Sequence, residues 1–411
     1  MIKKFRGTLQ HADNKVLLSN FLSLATLQGA NYILPLITLP YLVRVLGIEY
    51  FGLLAFATAM IGYFNVITDY GFMLSATREI SIHRDNKDKV IEIFSNVMII
   101  KTILLLSTFL LMTLIVFSFE KFSKDWFVYY LTFGMVIGQT LFPVWFFQGM
   151  EKMKYITYLN ILSKTIFTST IFIFVQEPND YYLVPLLSSI GLITAGIYSL
   201  FSIHNHFDIK FRFQNVLTIK RYFKEGWSIF LVDFLPNFYN NFSTFFLGFF
   251  VSLEIVGFYS LAAKLIDVLN NFIFVIRNAT YPYLVKHKSK ISKISKITIL
   301  VGFIFTLGII TVSHIFVPFV FGEKMLNSLK YLYIMSLGPL LISITISYGT
   351  NRLLIYKQDK VMKNITMQFS SFGFLLALFL IPTYGAIGSA VTMVVTRLLM
   401  AILTYRKGKL L

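Results

Sequence analysis

Cysteine is absent from the 411 residues, which removes disulfides, thiolate metal sites and a cysteine nucleophile. Charge is scarce: 14% of the chain is Asp, Glu, Lys or Arg, against about 25% in a soluble globular chain. Acids are scarcer still, 19 against 37 Lys and Arg. No Gly-x-Gly, HExxH or Asp-x-Asp occurs, so a nucleotide loop, a zincin site and the metal motif of a nucleotide-sugar transferase are all missing. His204 and His206 form a close pair, but two imidazoles without a third ligand do not make a zinc site. The sequence gives no reason to expect an enzyme, a metal or a bound cofactor.

What fills the chain instead is apolar: 56% hydrophobic residues and a mean hydropathy of +0.71. Apolar runs recur from end to end, each with the ~20 residues needed to cross a ~30 Å hydrocarbon core. They lack the alternating pattern of barrel strands, and lipid-facing backbone must be paired internally, so the runs are expected to be helices. Twelve spans follow: 17–40, 51–73, 91–117, 127–147, 155–175, 183–203, 227–248, 255–276, 297–318, 332–351, 364–381 and 385–404. The polar start, Met1 to Lys15, leads into a full span with no small-residue cleavage site, so no removable signal peptide is expected.

In a soluble chain a net charge of +18 suggests nucleic acid. Here the cations follow the spans. With the N-terminus inside, 26 Lys and Arg fall on cytoplasmic loops and tails, whereas Arg44, Lys121, Lys124, Lys324 and Lys330 are the outer five. This loop-by-loop asymmetry satisfies the positive-inside rule and is expected to place both termini in the cytoplasm. The partners expected are membrane lipids, not nucleic acid.

The longest inner loop divides the chain into an N-terminal six-helix lobe (1–205), a cytoplasmic interfacial linker (206–226) and a C-terminal six-helix lobe (227–411). Within that loop, Leu217 to Trp227 mixes aromatics with cations and is expected to lie as an interfacial helix on anionic headgroups. The halves resemble each other. Gly52-x4-Ala57 recurs as Gly257-x4-Ala262, and Glu151-Lys152 recurs as Asp359-Lys360, at nearly one offset. Repeats in the same orientation imply a pseudo-twofold along the membrane normal, a transporter arrangement with its path in a central cavity. The fold class expected is therefore all-α integral membrane, with twelve transmembrane helices in two pseudo-twofold six-helix lobes around that cavity.

Four stretches carry a family resemblance. They are Leu34-Pro-Leu-Ile-Thr-Leu-Pro-Tyr-Leu-Val-Arg through Gly52; Asp69-Tyr-Gly-Phe with Ser75-Ala-Thr-Arg78; Phe142-Pro-Val-Trp-Phe-Phe-Gln-Gly149 with Glu151-Lys-Met; and Leu247-Gly-Phe-Phe-Val-Ser with Val256 to Lys264. The sequence resembles bacterial O-antigen and polysaccharide flippases, of the superfamily that includes multidrug-and-toxin extruders and lipid II flippases. The resemblance implies a non-enzymatic carrier for an undecaprenyl-diphosphate-linked oligosaccharide, moved from the cytoplasmic to the periplasmic leaflet by alternating access. It also implies neighbours in the pathway, a glycan polymerase and glycosyltransferases acting on the same lipid carrier.

Ionisable residues deep in a span are costly and by default face a cavity or a partner. Lys101, Lys164, Lys264 and Arg397 lie near mid-span. Polar stripes accompany them: Asn160 with Lys164 and Thr168; Lys264 with Asp267 and Asn271; Asp233 with Asn237 and Asn241; and Gln28 with Asn31. Together they are expected to line the substrate cavity. The excess of cations favours an anionic cargo, and a diphosphate-linked glycan fits. Lys264 and Asp267, three residues apart, are equally readable as a pair that only neutralises itself. Asp233 and Asp267 are the candidate coupling carboxylates, for a proton or a sodium gradient. Asp69 is expected to pair with Arg78 as an inner gate or structural contact, and Arg44 to snorkel outward. The rival function is an ion-coupled drug or small-molecule antiporter of the same superfamily, which should have an acid-dominated cavity.

Overall fold

A computed structural model describes the backbone of residues 12–410, and side chains within that range except at 12–28, 30–33, 36, 228, 229, 231–241, 282 and 286. Among the described residues there is no strand, and nine helices are long and apolar enough to cross a membrane. The main elements are α1 (Ala12–Asp69), α2 (Phe72–His83), α3 (Lys87–Ser118), α4 (Trp126–Leu141), α5 (Val144–Gly149), α6 (Met153–Phe174) and α7 (Leu183–Phe207). They continue with α8 (Val216–Phe250), α9 (Leu253–Lys286), α10 (Ile291–Phe321), α11 (Leu329–Met335), α12 (Gly338–Thr345), a π-helix (Ile346–Leu354) and α13 (Asp359–Lys409).

Two of these helices are each two rods joined at a glycine. α1 breaks at Gly47 (φ 77°, ψ 172°) and α13 at Gly385 (φ 56°, ψ −131°), three residues after Pro382. The expected loop at 41–50 thus contracts to one residue, because glycine takes a positive φ without a Cβ penalty. Pro143 divides the expected fourth span into α4 and α5, and the expected tenth span is α11, α12 and the π-helix in succession. The expected interfacial helix at 217–227 is not a separate element: it is the first part of α8, continuous to Phe250.

Packing divides the chain into two compact units, one of residues 1–39 and 60–237, the other of 40–59 and 238–411. In the first, Trp145, Phe146, Phe147, Phe94 and Phe72 build a buried aromatic core. α4 and α7 approach closely through small residues: a Cβ on Gly138 would fall 2.6 Å from Leu192. Ser189 donates to the Leu131 carbonyl (2.6 Å) and Ser199 to that of Leu141 (3.1 Å). The register is 58 residues at both contacts, so α4 and α7 run parallel, as alternate crossings must. Cross-helix serine bonds and small side chains are the usual adhesives where lipid offers no hydrophobic contrast.

In the second unit, Ser295 and Ser347 exchange hydroxyl-to-carbonyl bonds at 3.2 Å, and Thr306 donates to Ser336. These pairs run in opposite directions along the chain, so α10 and the segment after it are antiparallel. The repeated glycines meet one another here. A Cβ on Gly52 would lie 1.8 Å from the Leu253 carbonyl oxygen and 2.8 Å from the Gly257 nitrogen, and one on Gly257 would lie 2.3 Å from the Ile48 oxygen. Ala57 and Ala262 are fully buried beside this crossing. The internal repeat is thus a packing motif as well as a sequence one.

Arg44 does more than snorkel. Its Nε donates to the Val320 carbonyl at 2.7 Å and its Nη2 to that of Phe319, closing the C-terminal turn of α10. Orphan carbonyls and the negative helix end both favour a guanidinium there. Arg44→Ala should lower stability by about 1 kcal/mol, and Arg44→Lys by less. Thermal unfolding of the purified protein measures this, and an unchanged midpoint for Arg44→Ala would refute the cap.

Candidate functional site

The deep polar residues of the second unit converge on Asp267. α9 places Lys264 and Asp267 one turn apart, with Lys264 about 16 Å along the helix from its start. Both side chains keep accessible surface. α13 brings Arg397 to the same place from 130 residues away, so Asp267 lies within electrostatic reach of Arg397 and Lys264. Asn270 stands beside Asp267 without a hydrogen bond of normal geometry, and Asn271 is half-buried on the neighbouring position.

Arg397 has room because Gly338 has no side chain: a Cβ there would sit 3.1 Å from Nη1 and 3.2 Å from Ile266. Lys264 Nζ lies 5.8 Å from the centroid of the Phe51 ring, a cation–π contact. Among the described residues the cluster therefore sets two basic side chains around one carboxylate inside the membrane spans. Phe51 and Asn270 are additions that sequence spacing missed. The i, i+4 stripe selects Asn271, whereas the i, i+3 neighbour Asn270 is the one beside Asp267.

The first unit treats its charges differently. Lys101 is buried and its Nζ is 3.1 Å from Asp69 Oδ1. The expected Asp69–Arg78 pair does not form: Arg78 is exposed and lies 3.4 Å from Glu79. The cause is local backbone. Tyr70 and Gly71 both adopt positive φ (48° and 71°), so α2 starts in a new direction and Arg78 leaves Asp69 behind. Tyr70 is held in that conformation by rings on either side, Phe223 at 4.6 Å and Phe230 at 5.0 Å, with Trp227 at 6.4 Å.

Lys164 is half-buried on α6 and forms no ion pair among the described residues. Its stripe neighbour Asn160 donates to the Ile156 carbonyl of its own helix at 2.9 Å. The structure brings Lys264, Asp267 and Arg397 together within the second unit, with Asn270 and not the expected Asn271 beside Asp267, and within the first unit it pairs Lys101 with Asp69. The side chains of Gln28, Asn31, Asp233, Asn237 and Asn241 lie outside the described residues.

The Lys101–Asp69 pair has its own test. Removing one partner of a buried pair costs about 3–5 kcal/mol, and the partly accessible Asp69 reduces this to about 2–3. Lys101→Met or Asp69→Leu should therefore destabilise strongly. The exchange Asp69→Lys with Lys101→Asp should recover part of the loss in thermal unfolding. No recovery would mean that the two charges act independently.

The helical architecture, with nine described helices long and apolar enough to cross a membrane, defines the class: a multi-pass membrane protein. Its fold is shared with "Lipid II flippase MurJ, inward closed conformation" (TM-score 0.76, 13% identity, 96% of this chain and 87% of that one). It is also shared with an inward-facing multidrug resistance MATE family transporter of the MOP superfamily (TM-score 0.66, 13% identity, 94% of each chain). The chain belongs to the polysaccharide biosynthesis protein family, whose model matches residues 17–288. A curated relative from Escherichia coli (strain K12), described as "Putative O-antigen transporter", is 30% identical over 403 residues, covering 95% of this chain and 97% of its own.

Proposed function

We propose that the protein is a flippase that moves undecaprenyl-diphosphate-linked O-antigen, or a related oligosaccharide unit, across the bacterial inner membrane by alternating access. The observation that carries this reading is the Lys264–Asp267–Arg397 cluster, two basic side chains around one carboxylate, set deep in the spans. A diphosphate is the group such a cluster would hold through charge-assisted contacts. Family membership and the E. coli relative described as an O-antigen transporter support the same cargo class.

In this reading the chain crosses the membrane twelve times, with both termini and the 206–226 segment in the cytoplasm and lobes at 1–205 and 227–411. Lys264, Arg397 and Lys164 face the cargo, with Asn160 and Asn271 and, from the expected stripes, Gln28, Asn31, Asn237 and Asn241. Lys101 is committed to Asp69 and lends the first unit rigidity. Asp267 and Asp233 are the groups through which a proton or sodium gradient would act, and no cofactor is called for. A glycan polymerase and glycosyltransferases would share the carrier lipid.

Complementation decides the matter. A strain lacking the gene should lose surface polysaccharide and accumulate lipid-linked units on the cytoplasmic side, and the wild-type chain should restore both. Intact surface glycan in the deletion strain, together with loss of cationic dye efflux, would support a drug antiporter instead. For coupling, Asp233→Asn retaining full pH-dependent transport would exclude that carboxylate.

A further inference from the structure

The cytoplasmic end of the first unit holds a second cluster of charges, distinct from Lys101–Asp69. Residues 208–215 run irregularly from α7 to α8 and are fastened to the first turns of α3. Lys87 pairs with Asp208; Arg212 Nη1 lies 3.3 Å from Asp88 Oδ1; and the Arg212 backbone N–H donates to Ser95 Oγ at 3.0 Å. One turn into α8, Arg221 Nη2 reaches Glu92 at 2.9 Å, and Lys89 reaches the same carboxylate at 2.8 Å.

Between these fastenings lies an open cavity of about 410 Å³, walled by Asp88, Lys89, Glu92, Arg212, Gln214 and Arg221 among others. Both signs of charge line it: Arg212 and Arg221 from the 212–221 side, each already paired with an α3 carboxylate, and Asp88, Glu92 and Lys89 from α3. An inorganic anion would satisfy only one wall. A group with a phosphate and an ammonium a few bonds apart would satisfy both.

The same segment carries an apolar flank. Side chains alternate, so that Arg212 and Gln214 wall the cavity while Phe211 is 47% and Phe213 is 93% exposed. Val216 and Leu217, at the start of α8, are 74% and 76% exposed. Large apolar side chains this accessible, next to cations at the end of a span, mark a segment seated in the bilayer interface. Phe211, Phe213, Val216 and Leu217 would anchor in the acyl boundary and so set the cavity at headgroup depth.

We propose that this cavity binds one phosphoethanolamine phospholipid of the leaflet it faces. The phosphate lies against Arg212 and Arg221, the ammonium against Asp88, and the chains beside the exposed apolar flank. The lipid then ties the 208–221 segment to α3 on top of the ion pairs already present. Asp88, 85% exposed and paired at 3.3 Å, is the carboxylate freest to take up the ammonium.

Native mass spectrometry of the full-length protein in mixed detergent micelles tests this, with phosphatidylethanolamine and phosphatidylglycerol offered at equal concentration. One phosphatidylethanolamine should be retained in preference to phosphatidylglycerol by about fivefold, the scale of a single exposed ion pair. Asp88→Asn should abolish or reverse the preference, since the carboxylate assigned to the ammonium is lost while the guanidinium groups assigned to the phosphate remain. Arg212→Gln with Arg221→Gln should weaken retention of both lipids. Because a preference is read within one sample, general destabilisation does not imitate the Asp88→Asn result. Equal retention of the two lipids by the wild type, an unchanged preference in Asp88→Asn, or displacement of the lipid by millimolar inorganic phosphate would each overturn the proposal.

Discussion

Gly52→Ala should sharply reduce the amount of folded protein in the membrane, and Gly52→Val should abolish it. The added Cβ falls 1.8 Å from a backbone oxygen, that of Leu253, and backbone cannot rotate away as the tip of a long side chain can. To restore a normal carbon–oxygen contact, α1 and α9 must separate by more than an ångström. Such separation loosens Ala57, Ala262 and Leu261, all fully buried. Overpacking commonly costs about 1–3 kcal/mol, and a helix pair this close should exceed that range. Gly257→Val should behave alike, because its Cβ meets the Ile48 oxygen at 2.3 Å.

Gly308→Ala is the internal control. Nothing lies within 4 Å of its added carbon, so the change should be neutral or stabilising by up to about 1 kcal/mol, as alanine is the better helix former. Fluorescence-detected size-exclusion of tagged variants gives the folded yield. Equal yields for Gly52→Ala and Gly308→Ala would mean that the helices do not cross where described.

The second large effect concerns transport. Lys264→Ala and Arg397→Ala should each reduce restoration of surface polysaccharide at least about tenfold, the loss expected when a charge-assisted contact to cargo disappears. Protein level should hold. A structural role predicts otherwise: leaving Asp267 without its cations costs stability, though less than the ~3–5 kcal/mol of a fully buried charge, and depletes the protein itself. The double variant Lys264→Gln, Asp267→Asn separates the two accounts. If Lys264 serves only to neutralise Asp267, removing both charges should restore transport. If Lys264 meets the cargo, the double variant should remain as defective as Lys264→Ala.

Much of the fold was legible because the solvent imposes it. A chain that must satisfy its backbone inside lipid has helices as its main option, and apolar runs mark their extent. What the runs conceal is where a helix bends. α1 continues through the residues expected as a loop, since Leu39 to Leu54 are apolar enough and Gly47 alone absorbs the turn. α8 likewise absorbs a stretch whose aromatic and cationic mixture resembled an interfacial helix. Its Tyr222 and Gly226 are buried within the first unit, with Gly226 against the Tyr70 ring.

The candidate site was legible wherever residues share a helix, and obscure wherever they do not. Lys264 and Asp267 are visible as a pair at i, i+3, but nothing in either helix marks Arg397 as their third member. Lys101 has no acid on its own turns, which left it looking unpartnered. Its partner Asp69 is 32 residues earlier, at the end of a helix whose exit depends on two consecutive positive φ values. Pairing across helices is a tertiary fact, and spacing along a single helix carries no trace of it.

The rings around Tyr70 also make the protein report on itself. Of its three tryptophans, Trp145 is sealed in the aromatic core and Trp126 is exposed at the start of α4. Trp227 alone joins the Tyr70 cluster, 5.6 Å from Phe230. With Trp126 replaced by phenylalanine, any change in emission that Trp145 does not share would come from the place where α8 rests on Tyr70. The chain thus carries a native optical probe of that junction, and its lack of cysteine leaves every other position open to a second, chosen label.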